Sequence, residues 1–272
     1  MCFVPPRSNI NSSRSCCREP VLKFTCNYKK YHSHYETKTP VLKMPLDPKL
    51  KLIPLTYDTV EDYARLRVVG FKETLNKIFF SPGGPSPDTI AGMKAYYKTF
   101  VDDGCHCFVI QDTTTTAIIA AAKWRLVGHK QPDDTVLPIT PAEVDKELAT
   151  PPKWLECPQD TWDRFYAILN GTTREIMGTR PYWILDLLVT DPEHERRGAG
   201  SELAKWGCEQ ADRLGVEAYI EASMTGTPMY ARLGFEIVRT VTFDPIKEVG
   251  RDVGYAYTFN AMIRKPRNKE RG

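Results

Sequence analysis

WILDLLVTDPEHERRGAGSELAKWGCEQADRLGVEAYIEASMTGTPMYARLGF, residues 183–235, is the stretch that decides the fold. It follows on Tyr182 with a near-continuous apolar run of strand length, ending at Thr190. Successive side chains of a strand point to opposite faces, so an apolar run covers both faces and marks a central strand between helical layers. A charged loop follows and ends in Arg196-Arg197-Gly198-Ala199-Gly200-Ser201, where a helix begins. Its inner face carries Leu203, Gly207, Ala211 and Leu214. Glycines at that junction let the backbone approach a ligand and turn successive N–H groups toward it. The helix N-terminus adds positive potential and the two arginines add full charges. The combination suits a pyrophosphate. A tight strand-to-helix turn with solvated arginines is the competing reading. A Rossmann fingerprint does not fit, because its third small residue falls on Leu203, and no Gly-Lys-Ser/Thr of a P-loop is present.

Working outward, 50–55 reads as a first strand. A helix capped by Thr59 or Asp58 follows, with Val60, Tyr63, Ala64, Leu66, Arg67 and Phe71 along it. Residues 81–87, SPGGPSP, form a breaker-rich loop. Asp88 opens a second helix with Ile90, Met93, Tyr96, Tyr97, Phe100 and Val101 as its apolar stripe, and Asp103-Gly104 ends it. Residues 106–111 and 117–127 predict a hairpin around a Thr-rich turn. The Pro- and charge-rich segment 128–160 reads as an insertion, and a helix runs from 159 to 177. After the central strand and its helix come a strand at 218–222, a short helix at 228–233, and strands at 235–243 and 255–263. No internal repeat is present.

Composition is that of an ordinary globular chain, with 42% apolar and 26% charged residues in 272. The longest purely apolar run, 117–122, has six residues, far short of the ~20 a membrane helix needs. The net charge of +3 gives no ground for a nucleic-acid partner. That charge is uneven: residues 1–45 hold eight Lys/Arg and two acidic residues, leaving −3 on the remainder. Residues 1–45 lack apolar periodicity and read as a basic, disordered extension; a native start at Met44 is the other reading. The domain then spans 46–266, with 267–272 as a C-terminal tail. Eight cysteines with no secretory apolar core before them indicate free thiols in a reducing compartment, the cytoplasm. The basic start leaves a mitochondrial alternative. Cys105-His106-Cys107 lacks a second Cys/His pair at zinc spacing, so no metal is expected.

Two elements of the quoted stretch carry a resemblance. Glu195-Arg196-Arg197-Gly198-Ala199-Gly200 after an apolar strand is similar to the Gln/Arg-x-x-Gly-x-Gly/Ala motif of the GCN5-related N-acetyltransferase superfamily. Tyr230-Ala231-Arg232-Leu233-Gly234-Phe235 matches its downstream Tyr-x-x-x-Gly-Phe element at the usual distance. One departure is Glu195, where that family carries Gln or Arg. The resemblance implies an α/β fold: a mixed, twisted sheet of about seven strands, splayed at the central strand and flanked by helices. It implies acetyl-coenzyme A as cosubstrate. The pantetheine arm would pair with backbone of Leu188, Val189 and Thr190, and the pyrophosphate would lie on Glu195, Arg196, Arg197, Gly198, Ala199, Gly200 and Ser201. The Glu195 carboxylate would point away, leaving its N–H to bind.

The implied reaction joins a neutral primary amine to an acetyl carbonyl through a tetrahedral intermediate and expels a thiolate. Tyr230 matches the family's tyrosine near the cofactor sulfur, and a phenol can protonate the leaving thiolate; anchoring the short helix is its alternative role. Strand N–H groups near Leu188 or Val189 would hold the oxyanion. Asp186 and Glu221 are the candidate bases, since carboxylates inside apolar strands are costly unless used or paired. Pairing with Arg180 or Arg232 is the structural alternative for them. The acceptor, a small molecule or a peptide, is open, as is the oligomeric state. The −3 of the body slightly favours a cationic acceptor. A degenerate acyl-coenzyme A-binding sensor or scaffold, and an enzyme using a longer acyl chain, are the rival functions. His194 reads as a solvated loop residue, and Phe79-Phe80 as core or as a wall of the acceptor pocket.

Overall fold

The computed structural model describes residues 46–80 and 83–267; the expectations for 1–45 and for the tail beyond Arg267 lie outside them. In chain order the elements are β1 (Leu50–Pro54), α1 (Val60–Gly70), α2 (Leu75–Phe79), α3 (Pro87–Asp102), β2 (His106–Asp112), β3 (Ile118–Val127), β4 (His129–Lys130), β5 (Val136–Leu137), α4 (Pro141–Glu147) and α5 (Gln159–Met177). Then follow β6 (Tyr182–Thr190), α6 (Ala199–Leu214), β7 (Glu217–Ser223), α7 (Thr227–Arg232), β8 (Glu236–Phe243), α8 (Pro245–Val249) and β9 (Tyr257–Arg264). Seven strands form one mixed sheet in the order β1-β2-β3-β6-β7-β9-β8, with β4 and β5 paired separately. Every neighbour in the large sheet is antiparallel except β6 and β7. The fold class is the one expected.

The central strand β6 is irregular. Lys123 pairs with Leu187 but the next residue, Trp124, pairs with Leu185, so Asp186 is an extra residue: a β-bulge. Side-chain parity changes there. Before the bulge Tyr182 and Ile184 face the α5 side of the sheet; after it Leu187 and Val189 face that same side, with Val189 against Gly70 of α1. Trp183, Leu185 and Leu188 face α6. The parallel pairing of β6 with β7 stops at Leu185 and Ile220, although both strands continue. The sheet is therefore split between β6 and β7 from Asp186 onward.

One face of the sheet is covered by α6 and the other by α1, α3 and α5. Close approach of α6 depends on Gly207. A Cβ there would lie 2.2 Å from Trp124 Cε2. The indole is 1% exposed and donates from Nε1 to the Leu203 carbonyl at 3.0 Å. Arg264 of β9, 3% exposed, ties the far side of α6 down through two bonds to Asp212 at 2.7 and 2.8 Å and a third to the Leu233 carbonyl.

One local expectation changes, and two features add to the sequence reading. Ser86, not Asp88, caps α3: its Oγ accepts from Thr89 N–H at 3.2 Å, and Pro87 occupies the first turn, where its missing N–H costs nothing. The insertion adds to the core, since Ile139, Val144 and Leu148 pack with Met177 and Tyr182, and Val136 joins the cluster on the α6 side. The helices α2, α4 and α8, of five to seven residues, are too short to write a helical period into the sequence. Among the described residues the cysteines are free, and no helix is long and apolar enough to cross a membrane.

Gly207→Ala drives a methyl group into the Trp124 ring. Overpacking of this kind costs about 1–3 kcal/mol or more, so the urea midpoint should fall. A midpoint equal to wild type would show that Trp124 yields without penalty.

Candidate active site

The split in the sheet opens into a cleft of about 1120 Å³. One wall is formed by the end of β6 and the turn into α6. Asp191 N–H donates across to the Ile119 carbonyl at 2.8 Å. Antiparallel backbone groups alternate in direction, so Val189 also faces β3, while Leu188 and Thr190 turn theirs toward the split. Leu188 and Thr190 line the cleft, and Val189 does not: its side chain lies in the core against Gly70. Of the three strand residues expected to meet the pantetheine arm, two are thus suitably placed.

The turn is shaped for an anion. Arg196 and Gly198 have positive φ, 61° and 86°, and α6 starts with no side-chain cap. The first N–H groups of α6, at Ala199, Gly200 and Ser201, are therefore left for a ligand. At Gly200 a Cβ would meet Thr190 Oγ1 at 3.3 Å and Met229 Sδ at 3.5 Å, so a side chain would crowd the entrance. Glu195, Arg196, Gly198, Ala199, Gly200 and Ser201 all line the cleft.

Arg197 corrects the expectation that both arginines face the phosphates. Its guanidinium bonds Asp47 Oδ2 at 2.9 and 3.0 Å and Asp112 Oδ2 at 2.8 Å, and Nη1 lies 3.2 Å from His194 Nδ1. It staples the turn to β1 and β2 and leaves the cleft. Bonds from the Thr114 hydroxyl and N–H, then from Arg197, hold Asp112 well below the usual carboxylate range. Arg196 is exposed, lines the cleft and makes no ion pair among the described residues.

The two candidate carboxylates are set apart by their surroundings. Asp186, thrown out by the bulge, is held by Arg125 at 3.1 and 3.3 Å and by Lys123 at 3.6 Å. Neither expected partner is used; Arg180 pairs with Glu217 instead. Among the described residues Glu221 has no cationic partner. Its Oε1 accepts from Thr173 Oγ1 at 3.0 Å and Tyr219 OH at 3.1 Å, and Oε2 has no partner among the described residues. Burial pushes its pKa up to about 8 against those two bonds, which pull it down. Tyr230, on α7, also lines the cleft. Its ring packs on Phe235 at 5.9 Å, and burial raises its pKa well above that of a free phenol. It is a protonated donor at any ordinary pH.

The acetyltransferase (GNAT) family model matches residues 69–235, more than half of the chain. The chain belongs to that family. An acetyltransferase of Stachybotrys chartarum is 24% identical over 187 residues, 66% of this chain and 77% of that one. Two solved structures share the fold of this GNAT chain. The mosquito arylalkylamine N-acetyltransferase like 5b superposes with a TM-score of 0.56 at 15% identity, over 79% of this chain and 99% of its own. The Drosophila melanogaster polyamine N-acetyltransferase gives 0.53 at 15% identity, again over 79% and 99%.

The other end of the GNAT cleft is aromatic, with Phe79 and Tyr96 in its wall and Phe80 outside it. Several cleft residues were not singled out from the sequence: Lys123 and Arg125 on β3, Thr173 on α5, and residues 146–152 from the insertion. Their alternation on β3 was readable; their convergence on Asp186 needs the bulge. Among the described residues no His/Cys/Asp/Glu cluster could hold a metal; His106 lies beside Trp183 and Trp206, with Cys107 on the opposite face.

Glu221 makes stability depend on pH. Below its ordinary pKa of 4.5 it is protonated in both states. Between 4.5 and about 8 the unfolded chain ionises and the folded one does not, so stability falls as pH rises, and the loss is complete above about 8. Glu221→Gln cannot ionise. Its melting temperature relative to wild type should therefore climb steadily over that window. A constant difference would show that Glu221 titrates normally.

Proposed function

We propose that the chain is an acetyl-coenzyme A-dependent N-acetyltransferase acting on a primary amine by direct attack through a tetrahedral intermediate. One observation carries the reading: the uncapped start of α6, the split strand edge at Leu188 and Thr190, the Tyr230 phenol and the unpaired carboxylate of Glu221 all line one cleft. A fold neighbour bears the name agmatine N-acetyltransferase (TM-score 0.55, 14% identity, 80% of this chain and 99% of that one), in keeping with an amine acceptor.

Residues 195–201 would bind the pyrophosphate through N–H groups and Arg196. The amide-bearing arm would add to the open edge of β6 as a peptide adds to a sheet. The acetyl carbonyl then lies beside backbone N–H groups that can stabilise a developing oxyanion; Leu188 is the suitable donor, since Val189 faces β3. An ammonium ion is no nucleophile, so its proton must leave. Glu221 can take it, directly or through water, once ionised. Asp186 is the less available carboxylate, because its oxygens are engaged by Arg125 and Lys123. A free thiol has a pKa of ~8.5, so a donor assists its departure, and Tyr230 is a neutral donor in the same cleft.

Coenzyme A at 100 times its dissociation constant should stabilise the protein by about 2.7 kcal/mol. Gly198→Glu or Gly200→Glu should abolish the shift by putting bulk and negative charge at the phosphate site. The absence of any shift with millimolar acetyl-coenzyme A would reject the reading.

Tyr230→Phe keeps the ring and removes the donor. Turnover should fall by roughly 10²–10⁴-fold, with coenzyme A affinity nearly unchanged. Normal turnover would make Tyr230 a packing residue and leave water or the substrate as proton source.

A further inference from the structure

The acceptor end of the cleft contains a buried cation with no counter-charge among the described residues. Arg67, on the inner side of α1, is 7% exposed and lines the cleft. Its Nη1 donates to Asn76 Oδ1 at 2.8 Å. Asn76 is itself fixed by a bond from Nδ2 to the Val68 carbonyl at 2.8 Å, which aims its oxygen at the guanidinium. The guanidinium carbon stands 4.4 Å from the centre of the Phe71 ring. Both partners are neutral. Among the described residues no carboxylate forms an ion pair with Arg67. A guanidinium has five N–H donors, and only one hydrogen bond is made here. A buried charge is costly unless paired, yet this one is held in place by a dedicated amide. Burial raises the pKa of Tyr97, Tyr166 and Tyr257, and the charge of Arg67 opposes the rise at all three, so its field reaches the cleft walls.

Nearby charges do not cancel it. Arg67, Lys123, Arg125 and Lys146 line the cleft against Asp186 and Glu147. Asp186 is taken by Arg125 and Lys123, and Glu147 by Arg125. Glu221 is kept largely neutral below pH 8 by burial. The −3 of the body as a whole pointed to a cationic acceptor, but near, poorly screened charges set the field inside a cleft.

We infer that the acceptor is an amine that also carries a carboxylate, bound by Arg67, with its apolar body against Phe71, Phe79 and Tyr96. The amine half rests on the proposed acyl transfer; the anion half stands on Arg67 alone.

Three probes with the same ring separate the halves: 3-phenylpropionate, phenethylamine, and phenylalanine with homologues that lengthen the spacing between amine and carboxylate. In thermal unfolding, 3-phenylpropionate should raise the melting temperature, and Arg67→Gln should lose that shift while keeping the one from coenzyme A. In thiol release from acetyl-coenzyme A, at least one amino acid should exceed phenethylamine in kcat/KM by roughly tenfold or more, the scale of a charge-assisted bond. 3-Phenylpropionate should compete with the amino acid in the wild-type enzyme, a measurement that needs no folded variant. A carboxylate shift that survives in Arg67→Gln would overturn the assignment. So would equal or better turnover of phenethylamine with no carboxylate binding; acyl transfer would then stand without the anion site. A shift with 3-phenylpropionate but none with acetyl-coenzyme A would leave the anion site and reject acyl transfer.

Discussion

Backbone N–H and C=O groups must be paired or face water, and β6 beyond Leu185 has a strand on one side only. The bulge at Asp186 and the end of pairing at Leu185 and Ile220 occur at adjacent residues. The extra residue shifts the parity of β6, so that Leu187 and Val189 still reach the core under α1 after the strand has veered from β7. Without the bulge, either the core residues or the open backbone edge would face the wrong way. The opening is therefore part of the sheet's construction. A ligand bearing amides can satisfy the groups that the missing strand pairing leaves.

The turn into α6 must stay in place for that edge to be useful. Arg197 holds it from outside the cleft through Asp47 and Asp112, and Arg65 holds it from α1 through Asp191 at 2.7 Å. Gly207 and Trp124 set how closely α6 lies on the sheet, and Arg264 with Asp212 fixes its other flank. Two adjacent arginines thus have different roles. Arg197 fixes the loop, and Arg196, lifted by a positive φ, remains exposed at the cleft.

The sequence disclosed what is written in period and in local chemistry. The double-sided apolar run, the glycines before α6 and the order of the long elements were legible, because each follows from spacing within ten or twenty residues. The split was legible only through resemblance, since nothing in WILDLLVT says where pairing with a distant strand ends. Asp186 was noticed as a carboxylate in an apolar run, but not as the extra residue of a bulge; register belongs to two strands, and one strand does not reveal it. Arg67 was visible too, as an arginine among the inward positions of a helix. Its meaning came from Asn76 and Phe71, which turn inward from the α1–α2 junction, a segment too short to show a pattern.

Glu221 and Asp186 lie in the same cleft and differ in what surrounds them. Two cations engage Asp186, whereas Glu221 has only two hydroxyls, and burial outweighs their bonds and raises its pKa to about 8. In the proposed reaction this difference gives the substrate a part in its own activation. An ammonium ion entering the cleft favours the charged form of Glu221 and lowers its pKa. The neutral amine forms when that proton passes to the carboxylate, whose buried site stabilises the protonated product. Glu221 thus holds a proton in the empty cleft below about pH 8, ionises as the ammonium arrives, and returns to its preferred neutral state as the amine's proton is taken.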